Sequence, residues 1–277
     1  MIRLLQISDP HFGTEKPEVV EAVMKLARTQ SPDLIILSGD ITQRARRSQF
    51  AQAHRFIRQL QKPVLAIPGN HDIPLFNLYA RLFNPYGNYQ RVFGQTLEPE
   101  FENSQLLVIG VNTTRPSLHK NGKVSTEQIS RVALRLSTAK PEQFRVVVEH
   151  HPVRAIEASD AVNLLIGREQ AIPAWVDAGM DIILGGHIHL PYVLPLCGRK
   201  GIAGRQAWTV QAGTAVSRRV RGKVPNSINL IHYLPVTGKP QCIVEQWDYA
   251  GESQAFLPVK RTALTLSRSI DNCERMR

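Results

Sequence analysis

Residues 180–189 have the sequence MDIILGGHIH, an apolar run that ends in two glycines followed by two spaced histidines. A short apolar run bounded by polar or glycine residues is typical of a β-strand that is covered on both faces. The histidines, His187 and His189, come directly after this predicted strand. Four earlier parts of the chain repeat the arrangement, and their order predicts the fold.

The four earlier runs occupy residues 2–8, 33–38, 63–67 and 144–148, and they lead to Asp9-Pro10-His11, Gly39-Asp40, Gly69-Asn70-His71 and His150-His151. Helical patterns lie between the runs, notably at residues 18–29 and 49–61. The alternation predicts parallel βαβ units. Since ligands of such sheets gather at the carboxyl ends of the strands, the polar residues at these ends are predicted to form one site.

Seven side chains at those ends are candidate metal ligands: Asp9, His11, Asp40, Asn70, His150, His187 and His189. Oxygen and imidazole donors without sulfur suit Mn, Fe, Zn or similar ions. The order of the seven along the chain suits a cage for two metal ions. Gly39, Gly69 and Gly186 each precede a proposed ligand, either as ordinary turn residues or because the backbone passes close to an ion.

The ordered set D-x-H, GD, GNH[DE], H and GHxH resembles that of the calcineurin-like metallophosphoesterases, over roughly residues 1–245. The resemblance implies an α/β fold, a four-layer α/β/β/α sandwich of two mixed sheets flanked by helices, and a two-metal phosphoesterase. It implies one metal held by Asp9, His11, Asp40 and His189, and a second held by Asp40 as the bridge with Asn70, His150 and His187. His71 is then the catalytic residue that faces the phosphate.

Strand-like segments follow residue 190 at 191–196, 205–211, 227–234 and 241–249. The resemblance implies that they complete the second sheet. We expect a catalytic domain over residues 1–257 and a basic C-terminal tail over residues 258–277. The tail either contacts nucleic acid or an anionic membrane, or is a terminus without such a partner, which we favour.

The remaining histidines and Asp72 have structural interpretations. His151 is expected to face away from His150, because successive strand residues point to opposite faces. His54 and His119 are predicted at the surface, and His232 is predicted to be packed or hydrogen-bonded. Asp72 either caps the helix that follows, which we favour, or orients His71.

The net charge of +11 is unevenly distributed, since residues 182–244 contain no Asp or Glu. This segment either forms an electropositive rim for a polyanionic substrate or consists of solvated hairpin tips. If it is a rim, Arg218, Arg219 and Arg221 are the candidate substrate-binding residues, and Arg44, Arg46 and Arg47 could add to it. The loops at 113–124 and 152–168 are predicted to form the pocket walls.

The motif variants bear on the substrate. The stretch after Gly39-Asp40 lacks the second Asp and the Arg-Gly of the superfamily's protein phosphatases. The start Ser8-Asp9-x-His11 and the triplet His150-His151-Pro152 resemble the bacterial class III cyclic-nucleotide phosphodiesterase branch. A small anionic phosphodiester is therefore the expected substrate, cleaved by a metal-bridging hydroxide.

Three alternatives stay open. One is a DNA nuclease, which the basic charge permits, and another is a UDP-sugar-lipid pyrophosphatase. The latter requires an apolar groove, for which residues 75–83 are a candidate, although they are better explained as a helix packed into the core beside the site. The third, a non-enzymatic scaffold, is disfavoured because the set of ligand residues is complete.

Location is also suggested by the sequence. No apolar run approaches the roughly 20 residues that span a bilayer. Met1 leads directly into the first predicted strand, so we expect no signal peptide. Cys197, Cys242 and Cys273 are widely spaced, as is common in a reducing compartment. A cytoplasmic enzyme is the expectation.

Overall fold

The computed structural model describes residues 1–235 and 240–267. Its strands are β1 (Ile2–Ile7), β2 (Leu34–Ser38), β3 (Val64–Ile67), β4 (Glu100–Glu102), β5 (Leu106–Gly110), β6 (Phe144–Val148), β7 (Ile182–Gly185), β8 (Tyr192–Gly198), β9 (Gly201–Gln211), β10 (Ser227–Leu234), β11 (Gln241–Ala250) and β12 (Ala255–Thr265). Its α-helices are α1 (Pro17–Gln30), α2 (Arg47–Leu60), α3 (Leu78–Phe83), α4 (Gly87–Phe93), α5 (Thr126–Ser137) and α6 (Arg168–Asp177).

The strands form two six-stranded mixed sheets. The first has the order β12-β11-β10-β1-β2-β3, and the second has the order β4-β5-β6-β7-β9-β8. In the first sheet β1, β2 and β3 are parallel, as are β5, β6, β7 and β9 in the second. The parallel strands place their carboxyl ends at one edge of each sheet, and the antiparallel strands extend the sheets outward from them.

Alternation of side chains along β1 explains the four layers. Leu5 and Ile7 pack with α1 and α2 on the outer face of the first sheet. Ile2 and Leu4 pack against the second sheet in the central core. The far face of the second sheet is covered by α5 and α6, with the buried Trp175 among the packed side chains. The expected α/β/β/α sandwich is confirmed.

The prediction that all late strands join the second sheet is wrong. Strands β8 and β9 do so, but β10 returns to the first sheet and pairs antiparallel with β1, with Leu4 opposite Ile231. The free edge of β1 requires a strand that is apolar on both faces. Strand β10 meets this requirement, since Leu230 packs towards the helices and Ile231 towards the second sheet.

The expected boundary after residue 257 falls inside β12, which pairs along its length with β11. The first sheet therefore continues to Thr265, and Lys260 and Arg261 belong to its edge strand. The later basic residues of the expected tail lie in 268–277, outside the described residues.

The expectation that residues 75–83 pack into the core is also wrong. Helix α3 buries none of its side chains. Its N-cap is Asn77, whose side chain accepts a hydrogen bond from the amide of Ala80. Arg81 fixes the segment by donating to the carbonyl oxygens of Pro74 and Leu118. The apolar side chains of α3 therefore lie at the protein surface.

Among the described residues, we find no helix with the length and apolar character needed to cross a bilayer.

Candidate metal centre

The seven predicted donor residues lie together where β1, β2, β3, β6 and β7 end. Backbone hydrogen bonds join their loops: the amide of Asp9 donates to the carbonyl of Gly39 at 3.2 Å, and that of His11 to Asp40 at 3.0 Å. The amide of His187 donates to Oδ2 of Asp9 at 3.0 Å, which joins the last loop to the first. Both sheets thus contribute to one site.

Five of the donor residues have a left-handed backbone, a conformation that non-glycine residues rarely adopt. Their φ angles are 50° at Asp9, 44° at His11, 49° at Asp40, 74° at His187 and 56° at His189. Such conformations persist only where the surroundings enforce them, and they concentrate at functional sites. The turns aim these side chains inward, towards each other.

Asp40 lies between the two halves of the site. Its Oδ2 is 3.7 Å from Nε2 of His11, and its Oδ1 is 3.3 Å from Nε2 of His150. Asp9, His11 and His150 are fully buried and Asp40 is 2% exposed. A carboxylate with one oxygen towards each half has the placement of a bridging ligand.

Backbone carbonyls fix the orientation of two imidazoles. Nδ1 of His150 donates to the carbonyl of Ser38 at 2.9 Å, and Nδ1 of His189 donates to that of Arg219 at 2.6 Å. In each ring the hydrogen bond at Nδ1 orients Nε2 into the site, the orientation that metal-ligating histidines have. Nε2 of His189 lies 3.2 Å from Nε2 of His11, so the two rings meet at their Nε2 atoms.

Several buried donor atoms have no hydrogen-bond partner within the described residues: Asn70 Oδ1, His150 Nε2 and both ring nitrogens of His187. Buried polar atoms are rarely left unpaired in folded proteins. The ligating atoms of Asp9, His11 and His189 lie within 4.8 Å of one another, and so do those of Asp9, Asp40 and His150. The unpaired atoms and their spacing fit bound cations.

The electrostatics of the site point the same way. Burial disfavours a charged imidazole at His150, but the charge and hydrogen bond of Asp40, the charge of Asp9 and the carbonyl of Ser38 together raise the His150 pKa to about 10. Burial, followed by the charges of His151 and His150, lowers the pKa of His187 well below its usual range. A cation in the site would take over the role of the His150 proton in balancing Asp40, because a ligating imidazole is unprotonated on the metal-bound nitrogen.

His71 stands at the open side of the site. Its amide donates to Oδ1 of Asp40 at 2.8 Å, and its Nδ1 contacts the carbonyl of Gln43 at 2.9 Å. Nη1 of Arg219 lies 2.9 Å from Nε2 of His71 and 3.2 Å from Oε1 of Gln43. A cationic side chain is therefore placed beside His71, at the mouth of the site.

A family model described as "calcineurin-like phosphoesterase" matches residues 2–191. The chain belongs to the calcineurin-like phosphoesterase family. The match covers every one of the seven donors and His71, and it ends just before β8.

Three curated relatives of this phosphoesterase differ in their named activities. This chain is 28% identical over 160 residues to a probable glycerophosphodiester phosphodiesterase of Arcobacter nitrofigilis, and the match covers 57% of each chain. It is 23% identical over 229 residues to a UDP-2,3-diacylglucosamine pyrophosphatase of Chlamydia trachomatis, covering 69% of this chain and 64% of that enzyme. It is 28% identical over 204 residues to a 3',5'-cyclic adenosine monophosphate phosphodiesterase of Haemophilus influenzae, covering 68% and 70%. The matches thus span less than two thirds of the first two relatives.

Solved structures show the same fold. A dimetal phosphatase from Danio rerio superposes with a TM-score of 0.67 at 12% identity, over 96% of this chain and 99% of that one. The purple acid phosphatase from yellow lupin superposes with a TM-score of 0.64 at 12% identity, over 95% of this chain and 53% of that one. At these identities the likeness establishes the architecture of the phosphoesterase and nothing further.

Asp72 has neither of its two expected roles. Its carboxylate accepts from the amides of Ile41 at 3.0 Å, Thr42 at 2.8 Å and Gly69 at 2.9 Å. It therefore fastens the loop after β3 to the loop after β2, while Asn77 caps the following helix. Burial and the nearby charge of Asp40 raise the pKa of Asp72 to about 7, against these hydrogen bonds.

The other histidines follow the expectations in part. Both ring nitrogens of His151 are engaged, with Thr113 Oγ1 at 2.7 Å and the carbonyl of Lys120 at 3.1 Å, so this ring supports the loop at 113–124. His54 is exposed, and His232 lies 3.3 Å from a carboxylate oxygen of Glu245. His119 is exposed as predicted, but it also lines a cavity with His71.

Other residues that line this cavity belong to none of the predicted motifs. Gln43 and Arg81 line it together with Asn70 and His71. Gln43 lies three residues after Asp40 and has no motif of its own, so only the three-dimensional turn after β2 identifies it. Arg81 is brought to the site by α3, whose position the sequence pattern did not predict.

Of the three candidate substrate-binding arginines, Arg219 is the one found against His71 in the described part of the chain. Arg221 instead pairs with Asp160 at 2.7 Å and with Glu157, and so holds the loop at 152–168. Arg218 is exposed. Farther away, Arg205 pairs with Asp181 at 2.8 Å, before the start of β7 and thus at the opposite end of the sheet. Of the arginines in segment 182–244, Arg219 thus faces the site, whereas Arg205 and Arg221 are paired with carboxylates elsewhere. Lys239, a further basic residue of the segment 182–244, lies outside the described residues.

Proposed function

We propose that this protein is a binuclear metal-dependent phosphodiesterase that hydrolyses a cyclic nucleotide or a related small phosphodiester. The observation that supports this most is the combination of seven inward-facing donors with His71 and Arg219 on their open side. The donors suit Mn, Fe or Zn, and the buried unpaired atoms among them fit two cations. We place the enzyme in the cytoplasm.

Each residue near the open side has a chemical role in this proposal. Two bound cations would activate water and offset the charge of the phosphoryl oxygens. With substrate bound, the guanidinium of Arg219 contacts a phosphoryl oxygen in place of the His71 ring. Nε2 of His71 is then free, and in the imidazolium form it donates its Nε2 proton to the leaving oxygen while Nδ1–H stays bonded to Gln43, which leaves a neutral ring. The carbonyl of Gln43 holds the ring in position through Nδ1.

The diester class is supported by two features. Arg44, Arg81 and Arg219 contribute three positive charges around the open side, which favours an anionic substrate. Two of the relatives described above are named as phosphodiesterases, one of them for cyclic adenosine monophosphate. A cyclic nucleotide is a small diester with a single negative charge, which the arginines around the open side would attract.

A second candidate is cleavage of a lipid-linked diphosphate. The exposed apolar side chains at 75–83, beside the site, favour it, and so does the relative named as a UDP-2,3-diacylglucosamine pyrophosphatase. Activity that requires detergent-dispersed lipid substrates would select this candidate. The nuclease alternative rests on net charge alone, and we set it and the scaffold alternative below both of these.

The deciding experiment compares hydrolysis of bis-p-nitrophenyl phosphate with that of p-nitrophenyl phosphate. The protein is stripped of metal with a chelator and reloaded with Mn²⁺. We expect preference for the diester, loss of activity after stripping, and recovery after reloading. Asp40→Ala should abolish both activity and metal retention, whereas the exposed Glu252→Ala should change neither. Preference for the monoester, or no hydrolysis by protein that demonstrably retains metal, would contradict the proposal.

A further inference from the structure

Residues 75–83, which we term the apolar segment, expose five large apolar side chains. Their exposed fractions are 77% for Phe76, 72% for Leu78, 75% for Tyr79, 74% for Leu82 and 67% for Phe83. Single exposed apolar residues are common on proteins, but a contiguous group marks an interaction surface. The rings of Tyr79 and Phe83 also contact each other, with centroids 4.8 Å apart.

The surroundings of the apolar segment are strongly basic. Residues 41–97 contain eight Arg and Lys residues and a single acidic residue, Asp72. Asp72 is 1% exposed, so this stretch contributes no negative charge to the surface. Arg44 lies over the ring of Phe76, 5.4 Å from its centroid, and the neighbouring Arg46 and Arg47 are exposed. At least two arginines, Arg44 and Arg81, therefore lie in or directly beside the apolar segment.

The apolar segment borders the catalytic cavity directly. Leu75 and Arg81 line the same cavity as Asn70 and His71. Any surface that covers the apolar segment therefore also faces the mouth of the site.

We propose that the apolar segment binds an anionic membrane surface. Its aromatic and leucine side chains enter the interfacial region of the lipids, and the neighbouring arginines contact the headgroups. A second copy of the chain fits less well, because bringing two such basic faces together places like charges opposite each other. Nucleic acid fits less well because leucine side chains gain little from contact with phosphates or bases. This binding is independent of the catalytic proposal and has its own readout.

Vesicle co-sedimentation tests the proposal with the full chain. Vesicles of phosphatidylcholine are compared with vesicles that also contain phosphatidylglycerol. We expect binding to the anionic vesicles that weakens as NaCl is added. The double substitution Leu78→Ser/Leu82→Ser should weaken it by about tenfold or more, because the apolar contact is lost. The matched control is Leu134→Ser/Ile202→Ser, two residues that are 67% and 84% exposed outside the apolar segment; it should bind as the parent does.

Circular dichroism and hydrolysis of soluble bis-p-nitrophenyl phosphate should be the same for both double variants and the parent, so that a folding defect is not mistaken for lost binding. Failure of the parent to bind anionic vesicles, or equal losses in the two double variants, would overturn the proposal. A lipid-free dimer, detected by analytical ultracentrifugation and abolished only by Leu78→Ser/Leu82→Ser, would assign the surface to a second copy. Salt-sensitive retention of DNA that requires the same two leucines would assign it to nucleic acid.

Discussion

Left-handed backbone at five of the seven donors has an energetic cost of about 1 kcal/mol or more at each residue. The cost is tolerated because the loops are fastened from outside the site. The Asp72 carboxylate accepts hydrogen bonds from three backbone amides of two loops. His150 and His189 each donate a hydrogen bond to a backbone carbonyl. These hydrogen bonds therefore hold the candidate donor residues in place.

Arg219 offers a direct test at the scale of one residue. Replacing it by Ala removes the guanidinium beside His71, and with it a charge-assisted hydrogen bond to the phosphoryl group. The expected loss is about 1.5–3 kcal/mol of transition-state stabilisation, or roughly 10- to 100-fold in kcat/KM for the diester. The neighbouring exposed Arg218→Ala should change kcat/KM by less than about twofold. Equal effects of the two substitutions would show that general surface charge, rather than this contact, matters.

His71→Ala tests proton transfer to the leaving oxygen. A nitrophenolate leaves without protonation, whereas the alkoxide of a cyclic nucleotide does not. The loss in kcat should therefore be small for bis-p-nitrophenyl phosphate and about 100-fold or more for cyclic adenosine monophosphate. Metal content, measured by mass spectrometry, should stay unchanged. A uniform loss on both substrates would assign His71 to phosphate binding instead.

The individual residues also show what sequence reasoning could reach. Each candidate ligand follows a strand within a short motif, so residue type and order selected seven side chains that the structure brings together. Roles that depend on a partner distant in sequence were not accessible. Asp72 fastens loops because Ile41 and Thr42 come within reach, and Arg221 pairs with carboxylates from the loop at 152–168.

At the scale of elements, the strands that end at the site were predicted to within about two residues, because each is an apolar run with a polar end. Helices α1 and α2 were located by their periodicity. The hairpin of β4 with β5 was missed, since β4 is only three residues long and carries two glutamates. Helix α3 was placed in the core because its composition is apolar, and composition alone does not determine which surface an element meets.

The turn between β7 and His187 allows a test of close backbone approach. A Cβ atom at Gly186 would collide with the side chains of Ser8 and Asp9. Gly186→Ala should therefore displace Asp9 and lower metal affinity by about tenfold or more, as other changes behind a ligand do. Gly251→Ala, where a Cβ atom would meet only open space, should leave metal affinity unchanged. Competition with a fluorescent chelator measures both. Unaltered affinity of Gly186→Ala would make this residue an ordinary turn glycine.

At the scale of the whole molecule, a buried polar side chain links the two sheets beneath the site. The amide of Gln6 donates to Ser38 Oγ at 3.1 Å and to the carbonyl of Gly185 at 3.0 Å. Its oxygen accepts from the amide of Asn229 at 3.0 Å. These bonds connect β1, β2 and β10 of the first sheet to β7 of the second.

Gln6→Leu should therefore destabilise the fold. The substitution removes three buried hydrogen bonds, including the one that Ser38 Oγ accepts, at a cost of about 1–3 kcal/mol in the free energy of unfolding. Urea denaturation followed by circular dichroism measures this difference. Gln95→Leu changes an exposed residue and should alter the free energy by less than about 0.5 kcal/mol. Equal midpoints for Gln6→Leu and the parent would mean that packing alone aligns the sheets.

The overall architecture followed from family-level motifs, but the division of strands between sheets did not. Residues 227–234 are apolar on both faces and suit a central strand of either sheet. What decides between the sheets is that β1 has a free edge, and this becomes visible only when all strands are placed together.

The return of β10 to β1 has a consequence for how the chain folds during synthesis. Strand β1 is synthesised well before its antiparallel neighbour β10, which begins at Ser227. At the ribosome's rate of 5–20 residues per second, the interval between the two is on the order of ten to forty seconds. Throughout it, one edge of an apolar strand displays unpaired amides and carbonyls, which is the template for aggregation. Nascent chains of this protein should therefore depend on chaperones that shield residues 2–7 until β10 has been translated.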